Sequence, residues 1–135
     1  MINVEKITNI GPYSLNEKDK NDLFNKEINK LTLYHYRKSN DYKKILNLMN
    51  YDSNKNVKID EIPFLPVRLF KNFELKSIKH KEIFKILLSS GTTSNIPSKI
   101  FLDKANASTQ SKILNKIVKT VLSNERLPML IIDKD

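Results

Sequence analysis

The side chains best suited to ligand binding or catalysis are concentrated in one short loop, Ser89 to Asn95. The loop carries five hydroxyl groups and one amide, and Gly91, one of two glycines in the chain, frees the backbone to turn amides inward. Such donors suit the oxygens of a polyphosphate, and Lys99 can supply positive charge to a transition state. A plain polar hairpin loop has the same composition, because Ser and Thr are common turn residues. Lys99 is the candidate catalytic residue, and the candidate phosphate-binding residues are Ser89, Ser90, Gly91, Thr92, Thr93 and Ser94.

Two short strands are predicted to hold this loop. Ile83 to Leu88 is a β-branched and aromatic run that stops at the hydroxylated residues, and Lys99 to Leu102 resumes the pattern after Pro97. A Walker A loop is excluded, because that motif requires two glycines, a Gly-Lys-Ser/Thr ending and a following helix. The pattern here is strand, long loop, strand.

After the second strand, the sequence predicts a helix and then a buried strand. Asp103 or Asn106 can cap the helix, whose apolar positions keep the helical period until about Ser123. Met129 to Asp133 is an unbroken apolar run ending in an acid, which is typical of a strand buried on both faces of a parallel sheet. Ligands of open α/β sheets bind at the carboxyl ends of such strands.

The first half of the chain is predicted to be mainly helical. Ser14 and Glu17 fit a capping box, and a long amphipathic helix is expected from about residue 15 to 37. Ser39 to Asp41 offers N-caps for a second helix. Two prolines are expected to hold Ile62 to Val67 extended as an irregular arm, and one helical turn to Phe70 follows. The sequence predicts an α/β fold, with residues 1–60 as a helical cover and residues 61–135 carrying the sheet and the phosphate loop.

Length and composition restrict the classes of function. The 135 residues fit one domain, and the formal net charge is +9. The basic residues are 21 Lys and only three Arg, spread along the chain, and this low share of Arg disfavours nucleic-acid binding. A nucleic-acid binder would show affinity that falls steeply with salt. The absence of a long apolar run and of a signal sequence predicts a cytoplasmic protein without a membrane span. With no cysteine, no thiol of this chain can hold a covalent intermediate.

Other side chains that could bind ligands are interpreted as packing or surface residues. His35 and His80 have no partner at metal-ligand spacing, and the acidic pair Asp60 and Glu61 stands before a proline in a solvated turn. The tyrosines near His35 could stack on bases, but aromatic residues at helical spacing more often belong to a core. No metal site is predicted from these residues.

The loop and its neighbours resemble a known family. Ser89 to Lys99 resembles the phosphate loop of the adenylate-forming superfamily, in which a Thr/Ser-Ser-Gly-Thr-Thr-Gly core is followed by Pro and Lys and links two strands. Four blocks in the right order are together similar to the acyl-protein synthetase (LuxE) family of bacterial luminescence operons, whose relatives also occur beside surface-polysaccharide genes. The blocks are residues 62–71, 88–94, 98–103 and 126–133.

The resemblance implies an α/β enzyme that uses ATP and Mg²⁺ to convert a fatty acid to an acyl-adenylate, releasing pyrophosphate. The acyl group then passes to a cysteine and on to an acceptor such as an acyl reductase. Ser94 departs from the glycine usual at its position. The residues that map onto the family's phosphate loop are Ser89, Ser90, Gly91, Thr92, Thr93 and Lys99.

Only the first part of that machinery matches this chain. The adenine-binding segment, the acidic metal ligand, the cysteine and a small carboxyl-terminal domain with its catalytic lysine are expected beyond Asp135. The chain is therefore predicted to be an amino-terminal fragment of such a ligase, inactive alone and dependent on the missing carboxyl-terminal part. The alternative is a non-catalytic nucleotide- or partner-binding module from a split or decayed gene.

Overall fold

A computed structural model describes residues 4–11, 13–89, 96–123 and the single positions 125, 128 and 130. Within these residues the fold is α/β, as predicted, with helices gathered before and after one antiparallel hairpin. The strand predicted from Met129 to Asp133 lies outside the described residues, except for Leu130, which is exposed. The helices are α1 (Val4–Thr8), α2 (Glu17–Lys38), α3 (Asn40–Leu48), α4 (Leu69–Asn72) and α5 (Lys104–Leu122), and the strands are β1 (Lys85–Leu88) and β2 (Lys99–Leu102).

The long helix α2 starts at a different cap from the one predicted. Asn16 is the N-cap, and its side-chain oxygen accepts the Asp19 N–H at 2.8 Å. Ser14 instead donates its hydroxyl to the Gly11 carbonyl at 2.8 Å, so the predicted capping box of Ser14 with Glu17 is wrong. Asn and Ser are equally good N-caps, and the turn at Gly11 takes the serine.

A single residue, Ser39, separates α2 from α3. Its N–H donates to the His35 carbonyl at 2.8 Å, and its hydroxyl accepts from the Tyr42 N–H at 3.4 Å, which confirms the predicted N-cap. Because one buried residue ends one helix and starts the next, the two helices form a tight corner. Leu46 of α3 is completely buried in this corner.

The segment after α3 is attached to α2 by one side-chain amide. Asn29, 8% exposed, donates to the Val57 carbonyl at 2.8 Å and accepts the Val57 N–H at 3.0 Å. The same amide also donates to the Asn25 carbonyl at 2.7 Å. The side chain thereby satisfies both backbone groups of Val57, as a neighbouring β-strand would.

Asn29→Asp should lower the free energy of unfolding by about 1–3 kcal/mol, because the carboxylate cannot donate to the two carbonyls that face it. Urea denaturation measures the change. Asn25→Ala is the matched control one turn away, since the side-chain oxygen of Asn25 is buried without a hydrogen-bond partner among the described residues. Equal losses in the two variants would contradict the role given to Asn29.

The two strands predicted on either side of the loop are confirmed. β1 and β2 pair antiparallel, with Leu88 opposite Lys99 and Ile86 opposite Phe101. The Phe84 N–H extends the ladder by donating to the Leu102 carbonyl at 2.8 Å. Opposed residues of an antiparallel pair share a face, so these four strand residues lie on one face of the hairpin and their neighbours lie on the other.

The two faces of the hairpin have different neighbours. α5 lies against the face of Leu87 and Leu102, and a groove of about 440 Å³ separates them. The N-cap of α5 is Asp103, whose carboxylate accepts the Asn106 N–H at 2.7 Å, as one of the two predicted caps. The opposite face meets the segment that follows α4, where the ammonium group of Lys76 lies 5.2 Å from the centroid of the Phe101 ring. The hairpin is therefore contacted on both faces near Leu102 and Phe101, whereas Ile86, Leu88 and Ile100 remain exposed.

The apolar core of the described residues is small. Leu46 and Leu102 are the two buried apolar side chains among them, whereas α5 has no buried residue and carries exposed aliphatic side chains along its second half. None of the helices in the described part of the chain is long and apolar enough to cross a membrane.

Candidate functional site

The antiparallel pairing brings together the two ends of the predicted phosphate loop. The Ser89 N–H donates to the Ser98 carbonyl at 3.1 Å, and the Ser98 N–H donates to the Ser89 hydroxyl oxygen at 2.9 Å. Ser90, Gly91, Thr92, Thr93 and Ser94 lie outside the described residues. Because the Ser89 oxygen is an acceptor in this closure, its own O–H proton remains available for donation.

Ser98 is a site residue that the sequence did not single out. It is 6% exposed, and its hydroxyl has no hydrogen-bond partner among the described residues. A buried hydroxyl without a partner costs free energy, so its presence at the base of the loop suits a position that gains a partner when a polar ligand binds. The sequence signal is a hydroxylated residue directly before Lys99.

Removing the two hydroxyl groups should have opposite effects. Ser89→Ala should lower the free energy of unfolding by about 0.5–1 kcal/mol, because the Ser98 N–H loses its acceptor. Ser98→Ala should leave stability unchanged or raise it, because its hydroxyl makes no bond among the described residues. Chemical denaturation of both variants tests the assignment, and a Ser98→Ala loss as large as that of Ser89→Ala would overturn it.

Lys99 begins β2 at the end of the loop and is exposed. It shares a face with Phe101, against which Lys76 packs. The carboxylate of Glu74 accepts a hydrogen bond from the Lys76 ammonium group. This bond, the charge of Lys76 and, more weakly, the charges of Lys99 and His80 hold the pKa of Glu74 below its usual value. The face of the hairpin that carries Lys99 and Phe101 therefore has more positive than negative charge nearby.

A second cluster joins α2 to residues 62–79, which comprise the irregular arm, α4 and the segment after α4 and which we together call the arm. The Nδ1 atom of His35 lies 2.7 Å from the Ser77 hydroxyl oxygen, and its ring meets Tyr34 and Tyr42 edge-on. A cavity of about 160 Å³ opens beside this contact. Burial lowers the pKa of His35 below 6.5. The cluster has the packing role predicted for His35. The cavity is lined by His35, Ser39, Tyr42, Leu65, Phe70, Leu75 and Ser77.

The lowered pKa of His35 predicts a pH-dependent stability. Below pH 6.5 the unfolded chain binds a proton at His35 that the folded chain resists, so folding stability falls as the pH drops through this region. His35→Gln should flatten the profile of the thermal midpoint between about pH 7.5 and 5.5. His80→Gln, a change at the exposed second histidine, is the control. Parallel profiles for the unaltered chain and His35→Gln would contradict the prediction.

The remaining candidates have structural surroundings. Tyr36 donates its hydroxyl to the Asn47 side chain at 2.9 Å, and its ring lies 6.1 Å from that of Tyr51. Asp60 and Glu61 lie exposed in a short 3₁₀ turn, where the Glu61 carboxylate accepts the Lys58 N–H at 3.2 Å. Among the described residues, no three His, Asp or Glu side chains are grouped so that they could hold a metal ion.

The comparison with protein families identifies a class of ligases that act on acyl groups. A family model described as acyl-protein synthetase, LuxE, matches residues 3–135. The match covers nearly the whole sequence and includes the four blocks that carry the resemblance, so the chain belongs to the acyl-protein synthetase (LuxE) family. No curated protein and no solved structure matches the chain.

Proposed function

We propose that this chain supplies the ATP phosphate loop of an adenylate-forming acyl-protein synthetase, which activates a fatty acid for transfer to a protein thiol. One observation carries the proposal: strand pairing closes the hydroxyl-rich loop at Ser89 and Ser98 and puts Lys99 directly after it. Joining the two ends of a loop lowers the entropy cost of ordering it, which favours the binding of a polyphosphate. The Ser98 hydroxyl at its base, which has no hydrogen-bond partner among the described residues, supports the same role.

The proposed reaction has two steps. A carboxylate oxygen of the fatty acid attacks the α-phosphorus of ATP, a new oxygen–phosphorus bond forms, and pyrophosphate leaves. A thiolate then attacks the acyl carbonyl carbon, a thioester forms, and AMP leaves. The chemistry that ATP supplies is a good leaving group on an otherwise unreactive carboxylate.

In the first step, this chain holds the phosphates. Backbone amides near Gly91 and the hydroxyls of the loop donate to phosphate oxygens, and Lys99 offsets negative charge that develops on the leaving group. The hydroxyl of Ser98 gains an acceptor from the bound phosphate. An acidic residue expected beyond Asp135 would hold Mg²⁺, which when bound would supply positive charge to the phosphates.

The second step needs groups that this chain does not contain. The sequence has no cysteine, so the thiol that accepts the acyl group belongs to another part of the enzyme or to another protein. We place the adenine-binding segment and a catalytic lysine in the same complementing part. An acyl reductase of a luminescence system and a protein of surface-polysaccharide acylation are the two kinds of acceptor proposed.

A second candidate function is a non-catalytic module that binds nucleotide and docks a complementary subunit. The observation that favours docking is the group of exposed aliphatic side chains on the second half of α5. This module would bind ATP but would not support adenylation in any mixture. The exposed side chains are Leu114, Ile117, Val118, Val121 and Leu122.

Exchange of radiolabelled pyrophosphate into ATP, dependent on a long-chain fatty acid, tests the proposal. The chain should support exchange only when the complementing part of the enzyme is added. Gly91→Val, which blocks inward-turned amides, and Thr92→Ala, which removes a donor, should each slow exchange about tenfold or more. Thr92→Ser keeps the hydroxyl and should retain most of the rate.

The outcomes separate the candidates. Unchanged exchange in both Gly91→Val and Thr92→Ala would remove the loop from the mechanism. Robust exchange by the 135-residue chain alone would contradict the need for a complementing part. ATP binding without exchange, even in the complemented mixture, would favour the non-catalytic module.

A further inference from the structure

Lys76 is held in an unusual way for a lysine. Its side chain is only 24% exposed, and its ammonium group lies 5.2 Å from the centroid of the Phe101 ring. The same group donates to the carboxylate of Glu74, two residues before it. Two contacts therefore restrict the position of a side chain that in solution has many rotamers.

The position of Lys76 relates it to the phosphate loop. Phe101 and Lys99 are two residues apart on β2, so their side chains leave the same face of the hairpin. The ammonium group of Lys76 lies over that face at Phe101. Phe101 is two residues along β2 from Lys99, which directly follows the closed base of the loop. The arm thus presents a second ammonium group on the face of the hairpin that carries the candidate phosphate lysine.

Glu74 lies within the field of both lysines. It accepts a hydrogen bond from Lys76, and the charges of Lys99 and His80 act on it as well. One carboxylate, bonded to Lys76 and reached by the charge of Lys99 only at longer range, leaves an excess of positive charge, and Glu74, 57% exposed, can move away without losing a buried environment. A polyphosphate carries more negative charge than a carboxylate and can replace it beside both lysines.

We propose that Lys76 is a second phosphate-binding cation beside Lys99, and that Glu74 is the counter-ion which the phosphate of the substrate displaces. The inference rests on the phosphate-binding role proposed for the loop and adds a residue from the arm, which the sequence pattern did not single out. In the bound state, the ammonium group of Lys76 stays near the Phe101 ring while it exchanges one anion for another.

A purely structural role for the pair predicts a different result. If Glu74 and Lys76 only fasten the arm to the hairpin, removing either charge should loosen the arm and weaken any ligand binding nearby. If Glu74 competes with phosphate, removing its charge should strengthen phosphate binding. The sign of the effect at Glu74 therefore distinguishes the two roles.

The test is isothermal titration of the 135-residue chain with inorganic tripolyphosphate at low salt. Lys76→Met, which keeps an unbranched side chain but removes the charge, should weaken binding about three- to fivefold, the range for one partly exposed charge pair. Lys76→Arg should restore it. Glu74→Gln should tighten binding by a similar factor, and raising the salt should reduce all these differences.

Lys85→Met is the matched control, because Lys85 is a lysine of the same hairpin on the opposite face, opposite Leu102. It should change tripolyphosphate affinity less than Lys76→Met. Circular dichroism and thermal midpoints show whether each variant keeps its fold, and Glu74→Gln remains decisive if Lys76→Met does not fold. Weaker or unchanged binding in Glu74→Gln would overturn the inference, as would equal losses in Lys76→Met and Lys85→Met or no binding by the unaltered chain.

Failure of this inference is distinguishable from failure of the proposed function. If Gly91→Val abolishes fatty-acid-dependent exchange while Glu74→Gln does not tighten tripolyphosphate binding, the loop keeps its role and the Lys76 inference is wrong. If Glu74→Gln tightens and Lys76→Met weakens binding while Gly91→Val leaves exchange unchanged, the lysine pair binds phosphate and the proposed function of the loop is wrong.

Discussion

The pairing of β1 with β2 is the constraint on which the rest of the candidate site depends. The ladder runs from Phe84 and Leu102 to Ser89 and Ser98, and it fixes both ends of the hydroxyl-rich loop. It also decides which side chains leave which face, so Lys99 lies with Phe101 and away from α5. In another register, Lys99 would not lie opposite Leu88 at the closed end of the loop.

The two layers on either side of the hairpin differ in chemistry. On the α5 side the contacts are mainly apolar, around the buried Leu102. On the arm side, charged groups meet an aromatic ring, with Lys76 on Phe101 and Glu74 beside Lys76. The contact between a lysine and an aromatic ring thus lies on the face of Lys99, whereas the opposite face, which also carries Lys85, adjoins α5.

Local patterns in the sequence predicted the elements and missed the contacts between them. Apolar periodicity located α2, α3 and α5 within a few residues, and the hydroxylated break after Leu88 located the hairpin. The cap of α2 was misplaced because Ser14 and Asn16 are both good N-caps, and only the turn at Gly11 decides between them. The four blocks of family resemblance identified the family correctly, since they depend on residue types and order rather than on packing.

Contacts between distant residues lay beyond such patterns. Asn29 binds Val57 across 28 positions, and Lys76 reaches Phe101 on a strand from a different segment. Neither contact has a local signature, because a buried Asn and a lysine in a loop are each compatible with many surroundings. The burial of Ser98 likewise has no local signature in the sequence.

The antiparallel register has a consequence for how this hairpin can vary between relatives. A residue inserted between Ser89 and Ser98 only lengthens the loop, since the ladder below it keeps Leu88 opposite Lys99. A residue inserted between Lys99 and Leu102 reverses the alternation and transfers the lysine to the side of α5. Relatives can therefore differ in the length of the loop, whereas the strand that carries the lysine tolerates replacement but not insertion.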